Sequence, residues 1–173
     1  DDWELAPDMR NPAHGARLFP ERKRERFLSP EERQRLHEVV QAGLRIPAGR
    51  RGHLKIESVW ALELIALTGR RKSEILKLTW PMVDWQHSLL NLPDTKSGEL
   101  KVQVSSHVLA LLRHIHDQTG NPRAGYVLHT AKGTRLTGLD LTWRNIRKAA
   151  DLTDVRLHDL RHSFASDALM SGV

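Results

Sequence analysis

Apolar positions along the chain change their spacing from segment to segment, and the changes mark out elements. Leu36, Val39, Val40 and Leu44 recur at steps of three and four, so they share one helical face and predict a helix over 29–42. Its start is written in Ser29-Pro30-Glu31-Glu32. Ser29 can cap, Pro30 suits the first turn, and Glu32 completes a capping box. Over 54–68 the polar face all but disappears: Val59, Trp60, Ala61, Leu62, Leu64, Ile65, Ala66 and Leu67 surround the axis. A helix of that kind belongs in the core. Gly69 is its natural stop, because glycine takes a left-handed conformation without a Cβ penalty. A short helix follows through Glu74, Ile75, Leu76 and Leu78.

The period then falls to two. Leu100, Val102 and Val104 alternate with Lys101 and Gln103, which predicts strands over 88–92 and 100–104 joined by a turn. Helical spacing returns over 106–118 and again over 139–150, where Trp143 and Ile146 face inward and Arg144, Arg147 and Lys148 face solvent. Between these two helices, Tyr126-Val127-Leu128 reads as a short third strand in which Tyr126 is buried. Leu157, Leu160, Phe164, Ala168 and Leu169 place a final helix from the 157 region to Val173. The expected fold class is α+β, mainly α-helical, with a small antiparallel three-stranded sheet at one edge. Residues 28–173 form that domain. Residues 1–27 carry Pro7, Pro12 and Pro20 and the run Arg22-Lys23-Arg24-Glu25-Arg26, and read as a linker at the tail of another domain.

Charge narrows the partners. The 173 residues carry a formal net charge of +6, which points to a polyanion, usually nucleic acid. Cysteine is absent, which excludes disulfides and thiolate metal sites. No stretch approaches the length of a membrane span, so no membrane partner is expected.

Candidate chemistry gathers on the last helix. His158 and Arg161 are three apart, hence neighbours on its surface. A permanent planar cation beside a group that titrates near neutrality suits a phosphate that is gripped and then reacted upon. Two other readings compete. Both residues can simply be solvated at a helix edge. His158 and His162 also have the four-residue spacing of a zinc helix, but Asp159 stands where that motif needs glutamate, and no third ligand is evident. Arg71 sits on a rigid base between two helices, and Lys96 lies at a hairpin tip from which it could reach a ligand held elsewhere. Arg50, Arg51, Arg144, Arg147 and Lys148 are candidate contacts to DNA phosphates.

Three blocks now stand in order: Thr68-Gly69-Arg70-Arg71-Lys72-Ser73-Glu74, Thr95-Lys96-Ser97-Gly98 and His158-Asp159-Leu160-Arg161-His162. Together they resemble the catalytic domain of the tyrosine recombinases, the phage integrase family, over about 22–173. The resemblance implies a site-specific DNA recombinase or integrase that cleaves and rejoins strands through a 3′-phosphotyrosyl intermediate. It implies that Arg71 and Arg161 clamp the phosphate and that His158 donates to it or handles a proton. Lys96 then protonates the departing 5′ oxygen, while Glu74 and His162 support the site. Arg70 departs from the family, which often has an apolar residue there.

No metal or cofactor is expected, since guanidinium groups supply the charge. The implied partners are double-stranded DNA and other protomers in a synaptic complex, in a bacterial or phage-encoded cytoplasmic protein. The family pattern continues to a further His or Trp and a tyrosine nucleophile. The chain stops at Val173 before both, and its single tyrosine, Tyr126, reads as structural. The expectation is therefore a catalytic-domain fragment unable to form the covalent bond by itself. The alternatives are a non-catalytic DNA-binding regulator, a type IB topoisomerase-like enzyme, and a decayed prophage remnant that keeps the fold.

Overall fold

The structure, a computed structural model, describes residues 26–94 and 98–160. Helix α1 spans Pro30–Arg45 and begins with the expected reciprocal cap. The Glu32 N–H donates to Ser29 Oγ at 3.2 Å, and the Ser29 N–H donates to Glu32 Oε2 at 2.9 Å. The helix runs three residues further than its apolar stripe suggested and ends where Ile46 turns extended. Pro47 follows, and a proline disfavours helical backbone in the residue before it.

Gly43 lets the last turn of α1 lie against Leu54. Its carbonyl accepts the Leu54 N–H at 3.0 Å, and a Cβ there would sit 2.6 Å from Leu54 Cγ. Leu54 is itself buried. Gly43→Ala should therefore destabilise the domain by about 1–3 kcal/mol, despite alanine's better helix propensity, because overpacking outweighs it. A denaturant midpoint at or above the parent's would refute that.

Helix α2, Ile56–Thr68, is the hydrophobic axis. Ala61, Leu64 and Ile65 are fully or almost fully buried, and α2 packs against α4 (Ser106–Gln118) and α5 (Leu139–Ala149). Gly69 ends it at φ 61°, ψ 17°, the left-handed cap anticipated from sequence. Helix α3, Lys72–Lys77, follows and is sealed to the core by Ile75 and Leu76. His114 and His116 diverge on α4: one meets the edge of Trp60, the other Trp80 at 4.7 Å.

The sheet has three antiparallel strands in the order β1 (Val83–Asp84), β2 (Leu89–Asp94), β3 (Gly98–Gln103). Its third member is therefore β1 and not the 126–128 segment. Tyr126 makes only an isolated bridge to Thr79 and is half-buried, not buried as expected. Val127 and Leu128 are both buried in succession, so the alternation that a sheet edge requires is missing. Pairing in the β2–β3 hairpin extends through Pro93↔Glu99 and Asp94↔Gly98, beyond the strand ends read from sequence.

The segment leading into α1 is tied down electrostatically. Arg26 donates to both Glu32 oxygens, at 2.6 and 2.9 Å. These bonds, with the Ser29 N–H, hold the Glu32 carboxyl at about 2. A carboxyl whose folded pKa lies below its ordinary 4.5 adds stability that is fully present above that value and is lost as pH falls toward 2. Glu32→Gln should thus be less stable than the parent at neutral pH and should lose less stability between pH 4.5 and 2. Circular dichroism during acid titration reads both effects. Parallel curves would show that the pair contributes nothing.

Candidate active site

The first block is positioned by the turn between α2 and α3. Gly69 reverses the chain, and Arg71 then occupies the position preceding α3 with extended backbone, φ −66° and ψ 144°. Its carbonyl accepts the N–H groups of Glu74 and Ile75 at 2.9 and 3.1 Å. Glu74 reaches back with both oxygens, one accepting the Arg71 N–H and the other Nη1–H, each at 3.1 Å. The backbone of Arg71 is therefore fixed. Its side chain, 73% exposed, projects into solvent with Glu74 beside it. Arg70 is half-buried, and its Nε lies buried without a hydrogen-bond partner among the described residues.

His158 is positioned by its neighbours. Asp159 is buried and caps the turn: its Oδ2 accepts the Arg156 N–H at 2.7 Å, and its own N–H donates to the Arg156 carbonyl at 3.0 Å. Leu160 is buried on the next position. With both successors turned inward, exposed His158 faces a cleft of about 240 Å³ lined also by Ile65, Leu157, Lys72 and Asp140. Lys72, the residue after Arg71, donates across the cleft to both oxygens of Asp140, at 2.7 and 2.9 Å. Lys72 at the start of α3 and His158 of the third block thus line the same cleft.

Sequence reasoning missed three residues here. In the sequence Asp159 reads only as a failed zinc-helix acid, whereas in the structure it is the cap that shapes the block. Lys72 adjoined Arg71 but carried no signal of its own. Asp140 lies in the first turn of α5, where acids favour the helix dipole, and nothing local announced its partner.

The remaining candidates divide. Lys96, Arg161 and His162, with residues 1–25 of the expected 1–27 linker, lie outside the described residues. Arg50 and Arg51 are exposed on the turn between α1 and α2 and do not line the cleft. Arg144 and Lys148 are exposed on α5 one turn apart. Arg147 differs from the expectation of an exposed cation. It is half-buried, and its Nη1 donates to the carbonyls of Thr153 and Val155, each at 3.0 Å. An irregular loop has carbonyls that no ladder satisfies, and Arg147 supplies the donors. Among the described residues no group of three or more His, Asp and Glu is arranged to hold a metal ion, and no helix is long and apolar enough to cross a membrane.

The pattern of the phage integrase family matches residues 26–173, so the chain belongs to that family. It is 27% identical over 167 residues to the integrase of Salmonella phage P22, a match covering 89% of this chain and 39% of that protein. The chain thus spans well under half of that relative. Among solved structures, XerA recombinase superposes with a TM-score of 0.60 at 23% identity, over 85% of this chain and 52% of that one. A lambda integrase tetramer bound to a Holliday junction superposes with a TM-score of 0.62 at 15% identity, over 92% of this chain and 47% of that one. The shared fold is that of the tyrosine recombinase catalytic domain, mainly helical with a small three-stranded antiparallel sheet.

Proposed function

We propose that the chain acts as the catalytic domain of a tyrosine-type, site-specific DNA recombinase of the integrase kind, working on duplex DNA together with other protomers in the cytoplasm. The observation that carries this reading is the cleft itself: Lys72, which follows Arg71 at the start of α3, and His158 line it together. Family membership and the DNA-bound relative support the same conclusion.

In this reading the scissile phosphate enters the cleft. Attack on phosphorus builds negative charge on the nonbridging oxygens, and Arg71 and Arg161 meet it with bidentate, charge-assisted hydrogen bonds. Glu74 steadies Arg71, whose guanidinium then exchanges a carboxylate for a phosphate. His158 donates to the phosphate or holds a proton, and Lys96 protonates the leaving 5′ oxygen. Arg50, Arg51, Arg144 and Lys148 contribute backbone contacts whose strength falls with salt.

Covalent capture on nicked suicide duplexes, built from the ends of the element encoding the chain, tests this. The 173 residues alone should give no adduct, because Tyr126 packs half-buried beside Thr79 and is not the nucleophile. A chain that carries the family's tyrosine segment should give a 3′-phosphotyrosyl adduct. An adduct from the 173 residues would overturn the assignment of Tyr126. DNA binding without any adduct from the tyrosine-bearing chain would favour a regulator.

A further inference from the structure

We infer that Arg26 is a positioning residue that couples the segment entering the domain to the loop carrying His158. The inference rests on the recombinase reading for its functional meaning and on hydrogen bonds for its geometry. The Arg26 guanidinium has two sides. One grips Glu32 in the first turn of α1, at 2.6 and 2.9 Å, while Nη1 also donates to the Phe27 carbonyl at 2.5 Å. The other reaches Asp154, 128 positions along the chain, with Nε at 2.8 Å and Nη2 at 3.5 Å. Glu32 is fixed in turn by the Ser29 N–H, so the guanidinium cannot swing without disturbing the start of α1.

Asp154 lies four residues before His158, in a loop held by donors that come from elsewhere. Arg35 Nε donates to the Ala150 carbonyl at 3.1 Å, and Arg147 holds the carbonyls of Thr153 and Val155. Val155 is fully buried, its N–H bonded to the Leu152 carbonyl at 3.0 Å. The Arg156 N–H then closes onto Asp159. From Asp154 to His158 the backbone is therefore a short braced span, and a shift at Asp154 passes to the histidine. Arg26 is the last residue of the run Arg22-Lys23-Arg24-Glu25-Arg26 that leads into the domain. Contact of that run with a DNA backbone would pull on Arg26, and through Asp154 would set the register of His158 in the cleft.

The test compares Arg26→Lys, Arg26→Gln and Asp154→Asn with the parent. In the 173-residue protein, coupling predicts faster hydrogen exchange across 151–158 and a displaced His158 ring resonance and titration midpoint with inorganic phosphate. In the tyrosine-bearing chain it predicts a fall of about tenfold or more in single-turnover cleavage at saturating DNA, with affinity within about twofold. Arg26→Lys should recover part of that loss, since a lysine can still reach one carboxylate. A lower melting temperature with unchanged His158 resonances and unchanged cleavage would overturn the coupling and leave Arg26 a structural residue. If the parent makes no adduct at all, the recombinase reading falls, while the exchange and resonance measurements still decide whether Arg26 positions His158.

Discussion

Replacing Arg71 with alanine in the tyrosine-bearing chain is expected to slow strand cleavage by about two to three orders of magnitude while shifting stability by no more than about 1 kcal/mol. The two halves of that result have different origins. On the recombinase reading, the rate falls because a bidentate donor to the developing phosphate charge is lost. Of the two cations that flank it in sequence, Arg70 is half-buried and Lys72 is drawn across the cleft to Asp140. A point charge also cannot reproduce the planar fork of a guanidinium. Stability barely changes because the side chain is 73% exposed and its ion pair with Glu74 lies in high dielectric. The backbone bonds that start α3 come from the Arg71 carbonyl, which alanine keeps. Single-turnover cleavage at saturating DNA, beside a denaturant melt, measures both halves. A large loss of stability would mean that Arg71 holds α3 in place. Unchanged cleavage would remove it from the site.

The pattern of the sequence exposed most helices because their boundaries are chemically local. Ser29, Glu32, Pro47 and Gly69 act within a turn of themselves, and each did what its chemistry dictates. The sheet was less legible. A two-residue strand such as β1 is too short to show a period, and the 126–128 segment carried strand-forming residues without the alternation that a partner strand demands. At the site, the residue types of Arg71 and His158 were readable because three ordered blocks framed them. The brace around them was not. Lys72 meets Asp140 across 68 positions, Arg26 meets Asp154 across 128, and Arg147 turns back onto loop carbonyls. Such pairings depend on how helices pack, and the composition of a single segment does not contain that information. All three use long cations that local reasoning assigns to solvent, because a cation's default is exposure until a specific acceptor is brought within reach.

Ile75→Ala should be the most destabilising change, and its effect on the site should differ in kind from that of Arg71→Ala. Ile75 is fully buried on the six-residue α3, and with Leu76 it seals that helix to the core. So short a helix has little stability of its own, because nucleation is costly and few bonds repay it. Truncating the buried side chain should cost about 2–5 kcal/mol, whereas Ile75→Val should cost about 0.5–1.5 kcal/mol. At roughly 2–4 °C per kcal/mol for a domain of this size, alanine lowers the melting temperature by about 4–20 °C. The consequence for chemistry follows from position. Ile75 accompanies Glu74 on the turn that fixes the Arg71 backbone, so a loosened α3 frees the arginine from its mount while leaving its guanidinium intact. Cleavage by Ile75→Ala should therefore improve on cooling, as α3 settles back, whereas the defect of Arg71→Ala should persist at every temperature. Parallel temperature dependences for the two variants would show that α3 does not hold Arg71 through the core.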